Sequence, residues 1–147
     1  METEIKPIAI VNADGLILGR MATTIAKRLL EGEEIAVVNA EKAVISGRKG
    51  NKVTEAKEFL AVGGVGRGPF HYRRPDRIVR KTIKGMLPAK KSKGIEAYKR
   101  LQVYIGVPED LKNMKMETFS HADAKKLKCS YFTVGQFSRD IGWNQGE

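Results

Sequence analysis

The chain opens its pattern with a short β-branched run, Ile8 to Ala13, closed by the turn pair Asp14-Gly15, which predicts a first strand over 8–13. Beyond it Leu18, Ala22, Ile25 and Leu29 recur at the spacing of one helix face, and Gly32 supplies a stop, so 18–32 reads as a helix. A second apolar run, "EIAVVNA" at 34–40, predicts another strand. Strand, helix and strand in this short compass form a βαβ unit, which favours a parallel sheet and a right-handed crossover.

Later elements are marked more by punctuation than by period. "AVISG" at 43–47 reads as a short strand, "NKVTEAKEFL" at 51–60 as a helix, and the glycine-rich "GGVGRGPF" at 63–70 as a loop or tight turn. Pro75 and Asp76 suit the first turn of a helix that runs to about Met86, where Pro88 ends it. "KGIEAYKRL" predicts a further short helix and "QVYIG" a strand. In the tail, "SHADAKKLK" and "TVGQFSRDIG" predict short helices opened by Ser120 and Thr133, with Asp123 completing a capping box for the first. The pattern shows no internal repeat and no low-complexity tract, and 147 residues fit one domain over 1–147.

Composition adds little until charge is located. Hydrophobic residues make up 41% of the chain, enough for a core, and no apolar run approaches the roughly 18 residues that span a membrane. The opening "METEIKPIAIVNADG" carries acids where a secretory leader has a basic start, so a cytoplasmic location is expected. The single Cys129 cannot form an internal disulfide; a buried structural thiol is expected there rather than an activated one. The net charge of +10 is concentrated: residues 67–94 hold ten cations against Asp76, a net of +9, and everything else nets +1. Such asymmetry points to a polyanionic partner, most simply a nucleic acid.

The basic window has internal order. On a helical wheel Arg77, Arg80, Lys81 and Lys84 fall within an arc of roughly 100°, while Ile78, Val79, Ile83 and Met86 lie on the other side. One face is expected on the sheet and the other on phosphates. Like charges three and four residues apart repel by a few tenths of a kcal/mol per pair, a cost that a polyanion would offset. Arg67, Arg73 and Arg74 precede the helix, with Phe70, His71 and Tyr72 interleaved for stacking or hydrogen bonding. The loop after it, with Lys90, Lys91 and Lys93, suits an irregular RNA backbone. A second patch, Arg48, Lys49 and Lys52, has Glu55 and Glu58 nearby, so a solvated face is an equal alternative there. An anionic membrane surface is a poorer partner for the basic helix, because its apolar face is short, lacks Trp and is needed by the core.

Other chemistry is weakly signalled. "GGVGRG" is followed by Pro69 where a dinucleotide fingerprint needs glycine, and no Gly-Lys-Ser/Thr follows as in a P-loop. A nucleotide-dependent enzyme built on that loop is the alternative function, without the lysine, hydroxyl or acids that would hold Mg²⁺. His71 and His121 stand apart from other ligand types, so no metal, cofactor or small-molecule substrate is expected.

The stretches "GLILGRMATTIAKRLLEG", "VVNAEKAVISG", "GPFHYRRPDRIVRKTIKGMLP" and "RLQVYIGVP" together resemble large-subunit ribosomal protein thirteen in its archaeal and eukaryotic form. The likeness runs in order from about residue 8 to 108, and "TVGQFSRDIGW" is similar to the archaeal C-terminus. The short length points to the archaeal branch. The resemblance implies a three-layer α/β/α fold around a small parallel sheet and a non-enzymatic, structural place in the cytoplasmic large ribosomal subunit. It further implies large-subunit rRNA and neighbouring ribosomal proteins as partners, with His71 through Lys84 and the loop to Lys93 in the rRNA contact.

Overall fold

The computed structural model describes residues 8–66 and 68–145; Arg67, one of the expected contacts, lies outside the described residues. Four strands, β1 (Ala9–Asn12), β2 (Ile35–Val38), β4 (Leu101–Val103) and β5 (Met116–Glu117), form a sheet in the order β4-β2-β1-β5, and each neighbouring pair is parallel. The βαβ unit is realised as β1, helix α1 (Leu18–Leu30) and β2, with Val11 opposite Val37. All four residues of β2 are buried, which is why this central parallel strand reads "IAVV" without alternation.

The two faces of the sheet are covered unequally. Val11, Ile35, Val37 and Leu101 meet Met21, Ala22, Ile25 and Leu29 of α1, together with Val79 and Ile83 of α3 (Pro75–Gly85) and Ala97 of α4 (Ser92–Lys99). Ile10, Ala36 and Val38 point the other way, where Ile8, Tyr104, Val107, Leu111 and Met116 pack on them. This gives a three-layer α/β arrangement whose second cover is thin, built around the single 3-10 turn Glu109–Leu111. Arg28 ties the end of α1 to β5. Its guanidinium bonds to Glu33 and Glu117, and the bond to Glu33 is the largest cause raising its pKa above the ordinary value.

At the carboxyl edge of the sheet Asn39 has φ 56° and ψ 40°, the left-handed conformation, and its side-chain amide donates to Asn12 Oδ1 at 3.0 Å. That kink turns the chain into the 3-10 turn Ala40–Lys42 and then into β3 (Val44–Ser46). β3 pairs antiparallel with β6 (Tyr131–Thr133), a strand absent from the sequence reading. Helix α5 (Val134–Asp140) follows β6 and is opened by Thr133 as expected; the reciprocal cap that Thr133 forms with Gln136 is absent from the sequence reading. Helix α2 (Lys49–Ala61) buries none of its side chains; the Lys49–Asp140 ion pair at 2.9 Å links it to the end of α5.

Three expectations are corrected. Residues 120–128 form no helix but two 3-10 turns, Ser120–Ala122 and Ala124–Lys126, separated by extended Asp123. Tertiary pairing prevails over local preference here. Ile17 N donates to the Ala122 carbonyl and Ala124 N to the Gly15 carbonyl, while the Asp123 carboxylate accepts from Lys125 N instead of closing a box on Ser120. The strand expected at 102–106 is already pairing at Leu101 and ends at Val103. Cys129 is exposed rather than buried, in the irregular stretch before β6.

Candidate nucleic-acid interface

Helix α3 is fixed in place by its apolar stripe. Pro75 at the first helical position, Val79 and Ile83 are buried, one turn apart, and Leu87 continues the line past the helix end. The stripe packs against α1, β4 and the turn Ala40–Lys42. Asp76 sits in the first turn, where a carboxylate favours the helix dipole, and accepts from Arg77 N at 2.9 Å. The expected division of faces needs two amendments. Ile78 is only half-buried, and Met86 lies 42% exposed beyond the helix, its sulfur 3.6 Å from the Thr23 hydroxyl of α1. Met86 caps the helix with right-handed backbone and still turns toward α1, but at the helix end it is left partly uncovered.

Opposite the stripe, Arg77, Lys81 and Lys84 are exposed. Arg80 is half-buried, its guanidinium carbon 4.5 Å from the Tyr98 ring centre on α4, and its Nε is buried without a hydrogen-bond partner. Lys84 Nζ lies 5.3 Å from the same ring. A cation over an aromatic face is attracted by the ring quadrupole, so Tyr98 holds the Arg80 and Lys84 side chains against α4. Arg77 in turn has its guanidinium carbon 6.0 Å from the Tyr72 ring centre, so of the four expected cations Arg77, Lys81 and Lys84 are exposed, two of them over rings, and Arg80 is half-buried. Among the described residues, the only ion pair within the segment joins Arg74 to Asp76 at 3.3 Å.

Among the described residues, two of the hollows beside the helix are lined by its cations together with Phe70 and Tyr72. One, of about 580 Å³, is lined by Phe70, His71, Tyr72, Arg73, Arg74 and Arg77 along with Leu60, Gly68 and Pro69. The other, of about 490 Å³, is lined by Phe70, Tyr72, Lys81, Lys84, Gly85, Ala89 and Tyr98. Phe70 and Tyr72 line both and are themselves exposed, Phe70 at 86%. The interleaving of aromatic and basic residues in the sequence thus becomes a single surface of rings and cations.

The remaining expected residues divide. His71 is half-buried, its ring tilted against Phe59 of α2 at 5.8 Å, so it joins α2 to the 70–74 segment as well as lining the first hollow. Arg73 runs beside Gly142 past the end of α5. Lys90 and Lys91 are exposed between Pro88 and α4, whereas Lys93, expected in the loop, is exposed in the first turn of α4, which Lys91 caps. The second patch is not joined to the α3 surface. Arg48, Lys49 and Lys52 lie at the first turn of α2, and the helical rise puts Lys49 ~15 Å along the axis from Phe59, which adjoins α3. Lys49 is moreover committed to Asp140.

Sequence reading missed Tyr98. It lies on another helix, and only the packing of α4 brings it under α3; the sequence pattern offered no signal for that contact. The glycine-rich loop folds upon itself: a Cβ on Gly68 would stand 3.3 Å from Gly63 Cα, and Gly66 has a φ of 87°. Those glycines are explained by the turn itself. Among the described residues no group of three His, Cys, Asp or Glu side chains is placed to hold a metal ion, and no helix is long and apolar enough to cross a membrane.

Comparison with known proteins gives one consistent result. The family model described as ribosomal protein L13 matches residues 6–110. The large ribosomal subunit protein uL13 of Methanosarcina barkeri is 47% identical, over 92% of this chain and 98% of that protein. The protein of the same name from Archaeoglobus fulgidus is 45% identical over 91% and 87%. That of Saccharolobus solfataricus is 39% identical over 98% and 99%, so the likeness extends through the tail beyond residue 110.

Proposed function

The chain belongs to the ribosomal protein L13 family, and from that premise we propose that it is a structural constituent of the large ribosomal subunit that holds folded rRNA against α3 and the loop after it. The family is one of ribosomal structural proteins rather than enzymes, which sets aside the nucleotide-dependent reading of the glycine-rich loop.

One observation carries the rRNA contact. Arg77, Lys81 and Lys84 stand exposed and without an acidic partner among the described residues, on a helix immobilised from behind by Val79 and Ile83. Isolated, this arrangement costs repulsion and returns nothing; along a phosphate backbone each cation displaces a counterion. Arg73, Arg74, His71 and Tyr72 extend the surface toward the N-terminal side, and Lys90, Lys91 and Lys93 toward the C-terminal side. Arg67 belongs with them by sequence position. Arg contributes forked, stacking contacts where Lys contributes point charge. Arg48 and Lys52 form a separate minor contact, and Lys49 contributes less because Asp140 neutralises it. Neighbouring ribosomal proteins and a cytoplasmic location follow from the same assignment. Sucrose-gradient fractionation at low salt tests it: the protein co-sediments with large subunits, and recovery only in the slow-sedimenting pool would count against it.

A further inference from the structure

We propose that the hollow between α3, α4 and the 70–72 segment receives one unpaired nucleotide of the RNA, its base stacked on Phe70 and Tyr72 and its phosphate on Lys81 and Lys84. The proposal rests on the rRNA-binding reading above and adds a mode of contact to it.

Three features of the hollow point to a nucleotide rather than to duplex backbone alone. First, its volume of about 490 Å³ lies within the ~300–1,000 Å³ range of small-molecule sites. A duplex backbone needs a convex or shallow cationic surface and makes no use of a recess. Second, its lining combines three aromatic rings with two ammonium groups and includes no acid. Every base has a π-face to stack, and every nucleotide carries a phosphate, so this pairing of groups suits RNA whose bases are splayed out. Phe70 in particular exposes nearly all of a large apolar ring beside cations, and none of the described residues covers it. Tyr98 forms the floor and steadies Lys84 from below at 5.3 Å.

Third, Gly85 lacks an internal reason to be glycine. It is the last residue of α3, its φ is not positive, and a Cβ there would meet nothing within 4 Å. In a helix interior glycine is up to about 1 kcal/mol less favourable than alanine; at this last position the cost is smaller, but the glycine eases no contact. It does keep the hollow open, as does Ala89 across the mouth. Small residues at a recess floored by a tyrosine are what close approach of a flat ring requires.

The test uses the full chain with deproteinised large-subunit rRNA, comparing Phe70→Leu, Gly85→Leu and the pair Arg77→Ala/Lys81→Ala over a salt series. Phe70→Leu removes the π-face while keeping an apolar side chain, and Gly85→Leu fills the recess with a good helix former. Each is expected to weaken binding on the order of tenfold, with the slope against salt and the melting temperature preserved. Titration of the parent protein with uridine or adenosine monophosphate, followed by NMR, is expected to shift the ring resonances of Phe70 and Tyr72 upfield, whereas inorganic phosphate leaves them in place. Parental affinity for both leucine variants, with a reduced salt slope for the cation pair, would overturn nucleotide insertion and leave the interface standing. Parental affinity and slope for all three would overturn both. Equal ring shifts with phosphate and nucleotide would reduce the hollow to an anion site. Loss of a neighbouring ribosomal protein from subunits carrying Phe70→Leu, with rRNA affinity unchanged, would assign the hollow to a protein segment and also overturn the proposal.

Discussion

Gly94 of α4 lies so close to Pro88 that a Cβ on the glycine would collide with the proline's carbonyl oxygen. The contact folds the 88–91 turn onto the first turn of α4, where Lys91 N donates to Pro88 O at 3.0 Å and Gly94 N to Lys91 O at 3.1 Å. It thereby sets where Lys90, Lys91 and Lys93 leave the body. Replacing glycine by alanine inside a helix ordinarily stabilises by up to about 1 kcal/mol, but relieving this collision should cost about 1–3 kcal/mol. Gly94→Ala is therefore expected to lower the melting temperature and Gly85→Ala to raise it or leave it unchanged. Differential scanning calorimetry on the two single variants checks the opposite signs.

The salt dependence of rRNA binding should register the free cations individually. Arg77→Ala with Lys81→Ala is expected to reduce the slope of log K against log salt by about 1.4–1.8, at 0.7–0.9 per phosphate contact, with unchanged circular dichroism. Arg80→Ala should behave differently. Its stem is packed and its guanidinium rests on Tyr98, so the variant should lose about 1 kcal/mol of stability as well as affinity. Filter binding across a salt series, paired with thermal melts, separates the two classes.

Asn39 is held in the left-handed region by the fold rather than by glycine. Asn39→Ala should lose about 1–2 kcal/mol to backbone strain and about 1 kcal/mol for the bond to Asn12. Asn39→Gly removes the same bond but relieves the strain, so it should be the milder change. Urea midpoints at constant m-value measure the difference, and equal losses would show that the conformation contributes nothing.

Helix α2, with no buried side chain, should be the least protected of the described helices in native-state hydrogen exchange. Lys49→Ala removes one exposed ion pair and should cost no more than about 1 kcal/mol, seen as faster exchange in α2 with α1 unaffected. Raising the salt concentration should mimic the substitution in the parent protein.

What the sequence made legible was whatever local period and local charge encode. The βαβ unit, the core-facing Val79 and Ile83 of α3 and the opening of α5 at Thr133 are written within a few residues of one another. So is the excess of cations from 67 to 94. What escaped depends on residues distant along the chain. β6 exists because Tyr131–Thr133 pairs with Ser46–Val44, and 120–128 is not helical because Ala122 and Ala124 bond to Ile17 and Gly15. Tyr98 joins the candidate site only through the packing of α4 beneath α3, and Met86 is left partly exposed at the helix end although it still meets Thr23 of α1. The expected cationic face survives in outline, with Arg80 moved from the free to the anchored side chains.

The most direct test of the rRNA contact is a structure of the large ribosomal subunit containing this protein. The account predicts phosphate oxygens within salt-bridge distance, about 4 Å, of Arg77, Lys81 and Lys84, on the side of α3 opposite Val79 and Ile83. Finding that face turned to solvent, or met by the acidic side chains of another protein, would contradict it.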